Sequence, residues 1–181
     1  MAGWTTDIGP CVIDYGGVEL GETVGGCQFS FKESAIVTRI DKTGTLGRSK
    51  YINGLECKVT GAIGEATLAQ LAAITGGTPT GTELVLQARV GTNLRDSAET
   101  VILKPLIAGV ASTDNDTFIY IPVATIMASF DVTHRFEDGA EKVWGFEIEG
   151  HPVTADDIAS SGDLFGEGWA LNDVCRFGNA S

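Results

Sequence analysis

Residues 35–60, AIVTRIDKTGTLGRSKYINGLECKVT, decide our prediction of the fold. Residues 35–40 alternate between apolar and polar side chains, and residues 51–60 do so again after an excursion at 41–50. Alternation with a period of two indicates a half-buried strand. The excursion contains two glycines and several basic side chains, so we expect a long charged loop between two neighbouring strands.

Residues 65–75 predict one short helix directly after these strands. Its expected apolar stripe has the spacing i, i+3, i+4 and i+7, and consists of Leu68, Leu71, Ala72 and Thr75. Gly76 follows as a C-terminal stop. Three turns of helix are marginal in isolation, so we expect this stripe to pack against a sheet.

Glycine-punctuated short runs elsewhere predict a mainly β chain. We expect a hairpin of residues 11–14 and 18–20 around Gly16 and Gly17. The further expected strands are residues 24–32, a pair at 83–90 and 99–104, and 118–121, with Pro105 at a strand end or edge and Pro122 as a strand end. Our candidates for the core are Phe29, Phe31, Leu68, Leu71, Phe130, Trp144 and Phe146.

A last hairpin is predicted together with its register. A three-residue loop at 138–140 places apolar side chains in pairs on one face: His134 opposite Trp144, Val132 opposite Phe146 and Phe130 opposite Ile148. The other face then carries Asp131 directly opposite Glu147, with Glu149 beside them. Like charges that face each other are destabilising, so we expect a reason beyond the stability of a single chain for this acidic stripe.

Composition argues against several functional classes. The 181 residues form one domain by length. With 24 acidic and 12 basic residues the net charge is −12, whereas proteins that grip nucleic acid cluster Lys and Arg. The first seven residues lack the features of a signal peptide, and no apolar run is long enough to span a membrane. The four cysteines form no CxxC pair, so we expect free, mostly buried thiols in a reducing cytoplasm.

No catalytic constellation is evident in the sequence. His134 falls on an apolar strand face, where a packed histidine is favoured over a catalytic one, and His151 has no neighbouring nucleophile motif. The glycine-rich residues 76–82 lack the lysine and the spacing of a phosphate-binding loop. We therefore expect neither enzymatic activity nor a cofactor or metal. The basic loop is either a solvated turn or a contact element that seeks an acidic partner.

Several segments together resemble a known family. They are GETVGG at 21–26, DKTG at 41–44, EATLAQL at 65–71 before two glycines, NLRDSA at 93–98 before VILKP at 101–105, and VWGFEIE at 143–149 before GHP at 150–152. In this order, over roughly residues 9–152, the chain resembles the major tail tube proteins of tailed bacteriophages. We expect residues 1–152 to be the β domain, and residues 153–181 to be a C-terminal arm on the same domain or a neighbouring subunit.

The resemblance implies an antiparallel β-sandwich or partial barrel with one flanking helix. Six such subunits would close into a ring, their sheets completing a larger β-barrel, and rings would stack into the virion tail tube through which DNA passes without specific binding. Assembly would occur in the host cytoplasm, without a membrane. The other expected partners are the terminator, tape measure and distal tail proteins.

The resemblance also implies roles for particular side chains. The long loop would contact the next ring through Lys42, Thr43, Gly44, Arg48 and Lys50. The candidates for lining the lumen are Asp131, Glu147 and Glu149, although an ordinary solvated face is an equal alternative. Other readings are a related tube, terminator or neck protein, a contractile injection tube subunit, or a monomeric β-sandwich binding module.

Overall fold

The computed structural model describes residues 10–38, 49–64, 66–86, 89–129, 143–161 and 169–178. Within these ranges the chain is mainly β, as predicted, and has two α-helices rather than one. The helices are α1 (Leu68–Thr75) and α2 (Ala155–Ser161). The strands are β1 (Cys11–Tyr15), β2 (Val18–Thr38), β3 (Ser49–Ile63), β4 (Thr78–Thr80), β5 (Glu83–Val85), β6 (Glu99–Ile107), β7 (Val110–Ala111), β8 (Ile119–Ala128), β9 (Trp144–Gly150) and β10 (Arg176–Phe177).

Eight strands form one large antiparallel sheet in the order β10-β8-β9-β3-β2-β1-β6-β7. Strand β8 has two long neighbours, because residues 119–124 pair with β6 and residues 124–128 pair with β9. Strand β10 pairs with the start of β8. Strands β4 and β5 form a separate hairpin. The predicted pairing of residues 83–90 with 99–104 is therefore wrong, since β5 pairs with β4 while β6 pairs with β1, β7 and β8.

The β1–β2 hairpin confirms a prediction that rested on local turn chemistry. Gly16 and Gly17 connect the strands with φ angles of 57° and 79°. Two successive residues with positive φ give a turn whose twist matches that of the strands, and glycine adopts this conformation without strain. The amide of Gly16 also donates to the carbonyl of Thr100 at 2.9 Å, which ties the turn to β6.

The core consists of side chains on one face of the large sheet, together with Ile74 of α1 and Val174 near β10. Phe146 is fully buried in this core cluster, and the half-buried side chains of Phe29 and Trp144 pack against the cluster. Two predicted core residues are exposed instead: Phe31 by 44% and Leu68 by 37%. Phe31 lies on the core side of β2 but beyond the elements that cover the core. Leu71 is half-buried, and Phe130 lies outside the described residues.

Helix α1 begins later than predicted and buries a different stripe. Thr67 is its N-cap, since its hydroxyl accepts from the Gln70 amide at 3.3 Å and its own amide donates to Gln70 Oε1 at 2.7 Å. The Gln70 side chain also donates to the Glu19 carbonyl of β2 at 2.9 Å. This tether turns Ile74 into the core, and Ala73 packs beside it. The predicted apolar stripe, which includes Leu68, is therefore wrong, because the helix turns a different face toward the core.

Both prolines predicted to end strands lie within strands. Pro105 is continuous with β6, which extends to Ile107. Pro122 is buried in β8. It lies at a bulge in the pairing of β8 with β6, where three steps along β8 correspond to two steps along β6. A bulge suits proline because this position requires no ladder donor.

The last hairpin has a different register from the predicted one. Phe146 pairs with Ala128, and Ile148 pairs with Ile126. The predicted partners Val132 and Phe130 are therefore wrong by four residues. An even shift keeps every side chain on its predicted face, so the apolar and polar faces of β9 are as expected. His134 lies outside the described residues.

Two cysteines are joined, which corrects the expectation of four free thiols. Cys11 and Cys27 form a disulfide with a Cα–Cα distance of 6.6 Å. They meet because the pairing of β2 with β3 is irregular between Thr23 and Cys27, where Gly25 and Gly26 have φ angles of 76° and 84°. The irregularity is a feature of the tertiary pairing that cysteine spacing alone does not reveal.

Candidate assembly surface

Strands β2 and β3 continue as a two-stranded ribbon past the rest of the sheet. Strand β1 pairs with β2 only over residues 18–22, and β9 pairs with β3 only over residues 57–63. The pairing of β2 with β3 continues to the last residue of β2. We call residues 31–38 and 49–56 the distal ribbon. At about 3.4 Å per residue it extends the pair by roughly 25 Å.

Large apolar side chains are exposed on the distal ribbon. Their exposed fractions run from 41% for Leu55 to 64% for Ile52. The six are Phe31, Ile36, Val37, Tyr51, Ile52 and Leu55. Apolar side chains scattered singly over a surface are ordinary, but a continuous group marks a contact site. The distal ribbon is therefore the strongest candidate for an interaction surface among the described residues.

A bulge places these apolar side chains on both faces of the ribbon. Ser34 pairs with Gly54 but Ala35 pairs with Ile52, which leaves Asn53 as an extra residue on β3. The Ser34 hydroxyl donates to Asn53 Oδ1 at 3.1 Å across this irregularity. Beyond an extra residue, each side chain of the strand occupies the face opposite to the one that regular alternation would give it.

The core face of the sheet continues along the ribbon without cover from a described element. Phe31, Val37 and Leu55 lie on this face, and the bulge adds Ile52 to it. The opposite face carries Ile36 directly across from Tyr51. The alternation predicted for residues 35–40 is wrong at residues 35–37, which are three consecutive apolar residues. This run was the sequence signal for apolar side chains on both faces, since a strand with one buried face alternates instead.

The ribbon also presents strand edges. No described strand pairs with the outer side of residues 31–37 of β2, or with the outer side of residues 50–56 of β3. An edge with unpaired amide and carbonyl groups is a template for a strand of another chain. Natural proteins usually blunt such edges or cover them, so two long edges on one ribbon favour a role in assembly.

Most of the predicted basic contact loop lies outside the residues that the structure describes. Lys42, Thr43, Gly44 and Arg48 lie outside the described residues. Lys50 belongs to β3, where it pairs with Val37, so its assignment to the loop is wrong. The second strand simply begins two residues earlier than the alternation at 51–60 indicated.

The polar face of β9 carries two of the three lumen candidates. Glu147 and Glu149 lie on the face opposite the core, and Asp131 lies outside the described residues. Met127 rather than Asp131 is paired with Glu147. Lys58 Nζ lies 2.7 Å from Glu147 Oε1, and this hydrogen bond raises the pKa of Lys58. A lysine therefore interrupts the predicted acidic stripe.

His151 has a structural contact. Its Nε2 lies 2.9 Å from Thr125 Oγ1, and burial lowers the pKa of the imidazole. Thr125 is only 5% exposed, so this hydroxyl does not face solvent. The pair joins β8 to the chain that leaves β9.

A small cavity of about 190 Å³ lies at the end of α1, between Tyr15 and Arg89. Ligand pockets for drug-sized molecules begin at about 300 Å³, so this cavity is below that range. Burial raises the pKa of Tyr15 to about 12, and its hydroxyl donates to the Ala124 carbonyl at 3.4 Å. Arg89 donates to the Thr75 carbonyl at 3.3 Å, at the C-terminal end of α1. These polar groups are already used within the fold.

Neither a metal cluster nor a membrane-crossing helix occurs in the part of the chain that the structure describes. No three metal-binding side chains come together there. No helix there is long and apolar enough to cross a bilayer. No protein-family model matches the sequence, and no curated protein sequence matches it at a significant level.

Proposed function

We propose that the protein is a structural subunit of a bacteriophage tail tube. Six copies would close into a ring, and rings would stack into a conduit for the genome. The distal ribbon is the observation that carries this proposal, because it leaves an apolar face and two strand edges for a further chain. The resemblance of residues 9–152 to tail tube proteins supports the same assignment.

A second copy of the chain is the occupant that suits the ribbon best. An isolated two-stranded ribbon is at best marginally stable in water, so this one gains from a neighbour. A contact between two different surfaces of identical chains generates a ring when the rotation closes. In such a ring every subunit both offers and receives a strand edge, and closure removes the edges that would otherwise aggregate. Such a ring would complete the larger β-barrel.

The polar face of the sheet fits the lumen of the tube. It carries uncharged polar side chains together with charges of both signs: Gln28, Ser30, Lys32, Glu56, Lys58, Thr60, Glu147 and Glu149. Of its two lysines, Lys58 is engaged by Glu147, and Lys32 is paired with Glu56 in the register of β2 with β3. Bare lysines and arginines would hold DNA phosphates by counterion release, whereas a neutral to acidic wall leaves DNA free to slide. The net charge of −12 supports the same behaviour.

This function places the protein in the virion tail, assembled in the host cytoplasm. Its neighbours would be other copies, and at the ends of the tube the terminator, tape measure and distal tail proteins. A related tube, neck or injection-machine subunit would share the ring but differ in what it contacts. A monomeric binding module would form no ring.

A charge placed on the ribbon tests this function. We expect Ile52→Glu to fold normally and to abolish tube formation, because a carboxylate would be buried at the subunit contact. Val110→Glu is the matched control, since Val110 is similarly exposed, by 69% against 64%, but lies on the β6–β7 hairpin. Sedimentation and circular dichroism measure assembly and folding. Tubes from the Ile52→Glu chain, or equal loss in both variants, would refute the role of the ribbon.

A further inference from the structure

Cys57 is a buried free thiol whose sulfur points across the sheet. It lies on β3, paired with Gly150 of β9, and is 1% exposed. A Cβ built on Gly150 would lie 2.9 Å from Cys57 Sγ and 2.9 Å from Ile121 Cγ2. The absent side chain at Gly150 therefore leaves the space through which the Cys57 sulfur reaches toward β8.

Cys175 approaches the same place from the C-terminal segment. It directly precedes β10, whose first residue Arg176 pairs with Tyr120 of β8. Continued by one residue, this register brings Cys175 alongside Ile121. Cys175 packs half-buried against the core cluster that contains Cys57, and each thiol is the largest influence on the pKa of the other.

Several contacts already hold the C-terminal segment on the fold: Val174 is buried in the core, and the Asn172 amide donates to the Val153 carbonyl at 2.9 Å. Strand β10 contributes only two paired residues. Phe177 adds an edge-to-face contact with Phe29 at a centroid distance of 5.6 Å, and the Gly178 amide donates to the Phe118 carbonyl at 2.8 Å. A covalent link beside these contacts would fix the segment to the sheet.

We propose that Cys57 and Cys175 are a modification site, a dithiol that closes to a second disulfide and fastens the C-terminal strand β10 to β3. The inference does not depend on the tail tube function. It concerns the single chain and holds whether or not rings form. Because Cys11 and Cys27 are already joined, closing this pair would leave the chain without a free thiol.

The oxidant is a low-molecular-weight disulfide, and the chemistry is thiol–disulfide exchange. Cys175 is the attacking group, because it is partly exposed and the neighbouring Cys57 thiol lowers its pKa, while the Cys175 thiol and burial raise the pKa of Cys57. Its thiolate attacks one sulfur of the small disulfide, whose S–S bond breaks and releases one small thiolate. The Cys57 thiolate then attacks the Cys175 sulfur and releases the second. The two protein thiol protons pass to the two small thiols, and two electrons pass from the protein to the oxidant.

Thiol counting tests the proposal directly. The purified chain is incubated with oxidised glutathione, denatured and alkylated with iodoacetamide, and its mass is measured. We expect two alkylated cysteines before oxidation and none after it, with a Cys57–Cys175 linked peptide in the digest. Two thiols remaining after prolonged incubation, or a link between chains or to Cys11 or Cys27, would overturn the proposal.

Amide exchange tests whether the link fastens the strand. We expect exchange of the Gly178 amide to slow by at least about tenfold on oxidation, and to recover on reduction, since local opening then requires more of the sheet to open. Cys175→Ser is the matched control, and its exchange should not respond to oxidised glutathione. Unchanged exchange in the oxidised wild-type chain would show that the disulfide does not fasten β10.

Discussion

At the scale of single residues, one carboxylate organises the chain beyond β9. Asp157 Oδ2 accepts from the Thr154 amide at 2.7 Å, from the Thr154 hydroxyl at 2.6 Å and from the Arg95 guanidinium at 2.7 Å. Burial raises the pKa of Asp157, but the hydrogen bonds from Thr154 and the charge of Arg95 outweigh burial and hold it below its usual value of 3.8. Arg95 also donates to the Pro152 carbonyl at 2.9 Å. The start of α2 is thereby joined to the segment before β6.

We expect Asp157→Asn to lower the melting temperature at neutral pH and to lose this effect in acid. A carboxyl group whose pKa is lowered by folding stabilises the protein above its unfolded pKa, and this stability disappears as pH falls through the folded pKa. The difference from wild type should therefore narrow below about pH 4. Glu83→Gln, on the β4–β5 hairpin, is the control. A difference that is independent of pH would contradict the linkage.

At the scale of elements, local signals predicted the structure where local contacts decide it. The glycine turn of β1–β2 and the alternation of residues 24–32 are set within a few residues, and both were predicted. The joining of residues 18–20, 24–32 and 35–38 into the single strand β2 was not predicted. The phase of α1 is not local, because the contact of Gln70 with the Glu19 carbonyl helps to fix it. The partners of β6 lie far away in sequence, in β1 and β8, so no local pattern identifies them.

The same distinction applies to the candidate site. Alternation correctly put Phe29 and Phe31 on one face of β2, yet only Phe29 is covered. The face of a strand that a side chain occupies is a local property. The extent of the core, in contrast, depends on which distant strands cover each residue. Glu147 and Glu149 were likewise put on the correct face, but the lysine that engages Glu147 comes from β3. Sequence predicted the faces of the strands and missed the ribbon.

The phase of α1 can be checked by a pair of alanine substitutions. We expect Ile74→Ala to lower the free energy of unfolding by about 2–5 kcal/mol, because Ile74 is fully buried. Leu68→Ala, on the same helix but 37% exposed, should cost below about 1 kcal/mol. Urea denaturation measures both. Equal costs, or a larger cost at Leu68, would restore the stripe predicted from the sequence.

At the scale of the whole molecule, two opposite surfaces of one sheet acquire different roles. The apolar face forms the core and then continues, uncovered by any described element, along the distal ribbon. The polar face carries Glu147 and Glu149 on β9, and Lys58 of β3 compensates the charge of Glu147. A chain with a net charge of −12 repels both DNA and its own copies at long range, so assembly must come from short-range contacts such as the ribbon.

Reversing one charge on the polar face should change whether assembled tubes retain duplex DNA. We expect Glu149→Lys tubes to retain duplex DNA at low salt, because each ring would gain a set of lysines facing the phosphates. Wild-type tubes should retain none. Glu83→Lys makes the same charge change on the β4–β5 hairpin, away from this face. Co-sedimentation of a short duplex measures retention, and equal retention by both variants would place the polar face outside the lumen.

The central claim is that this chain completes its sheet with copies of itself. Negative-stain electron microscopy of the purified protein at increasing concentration tests it most directly. We expect six-fold rings with an open centre, which stack into tubes as the concentration rises. Single particles of one chain at every concentration would contradict the account.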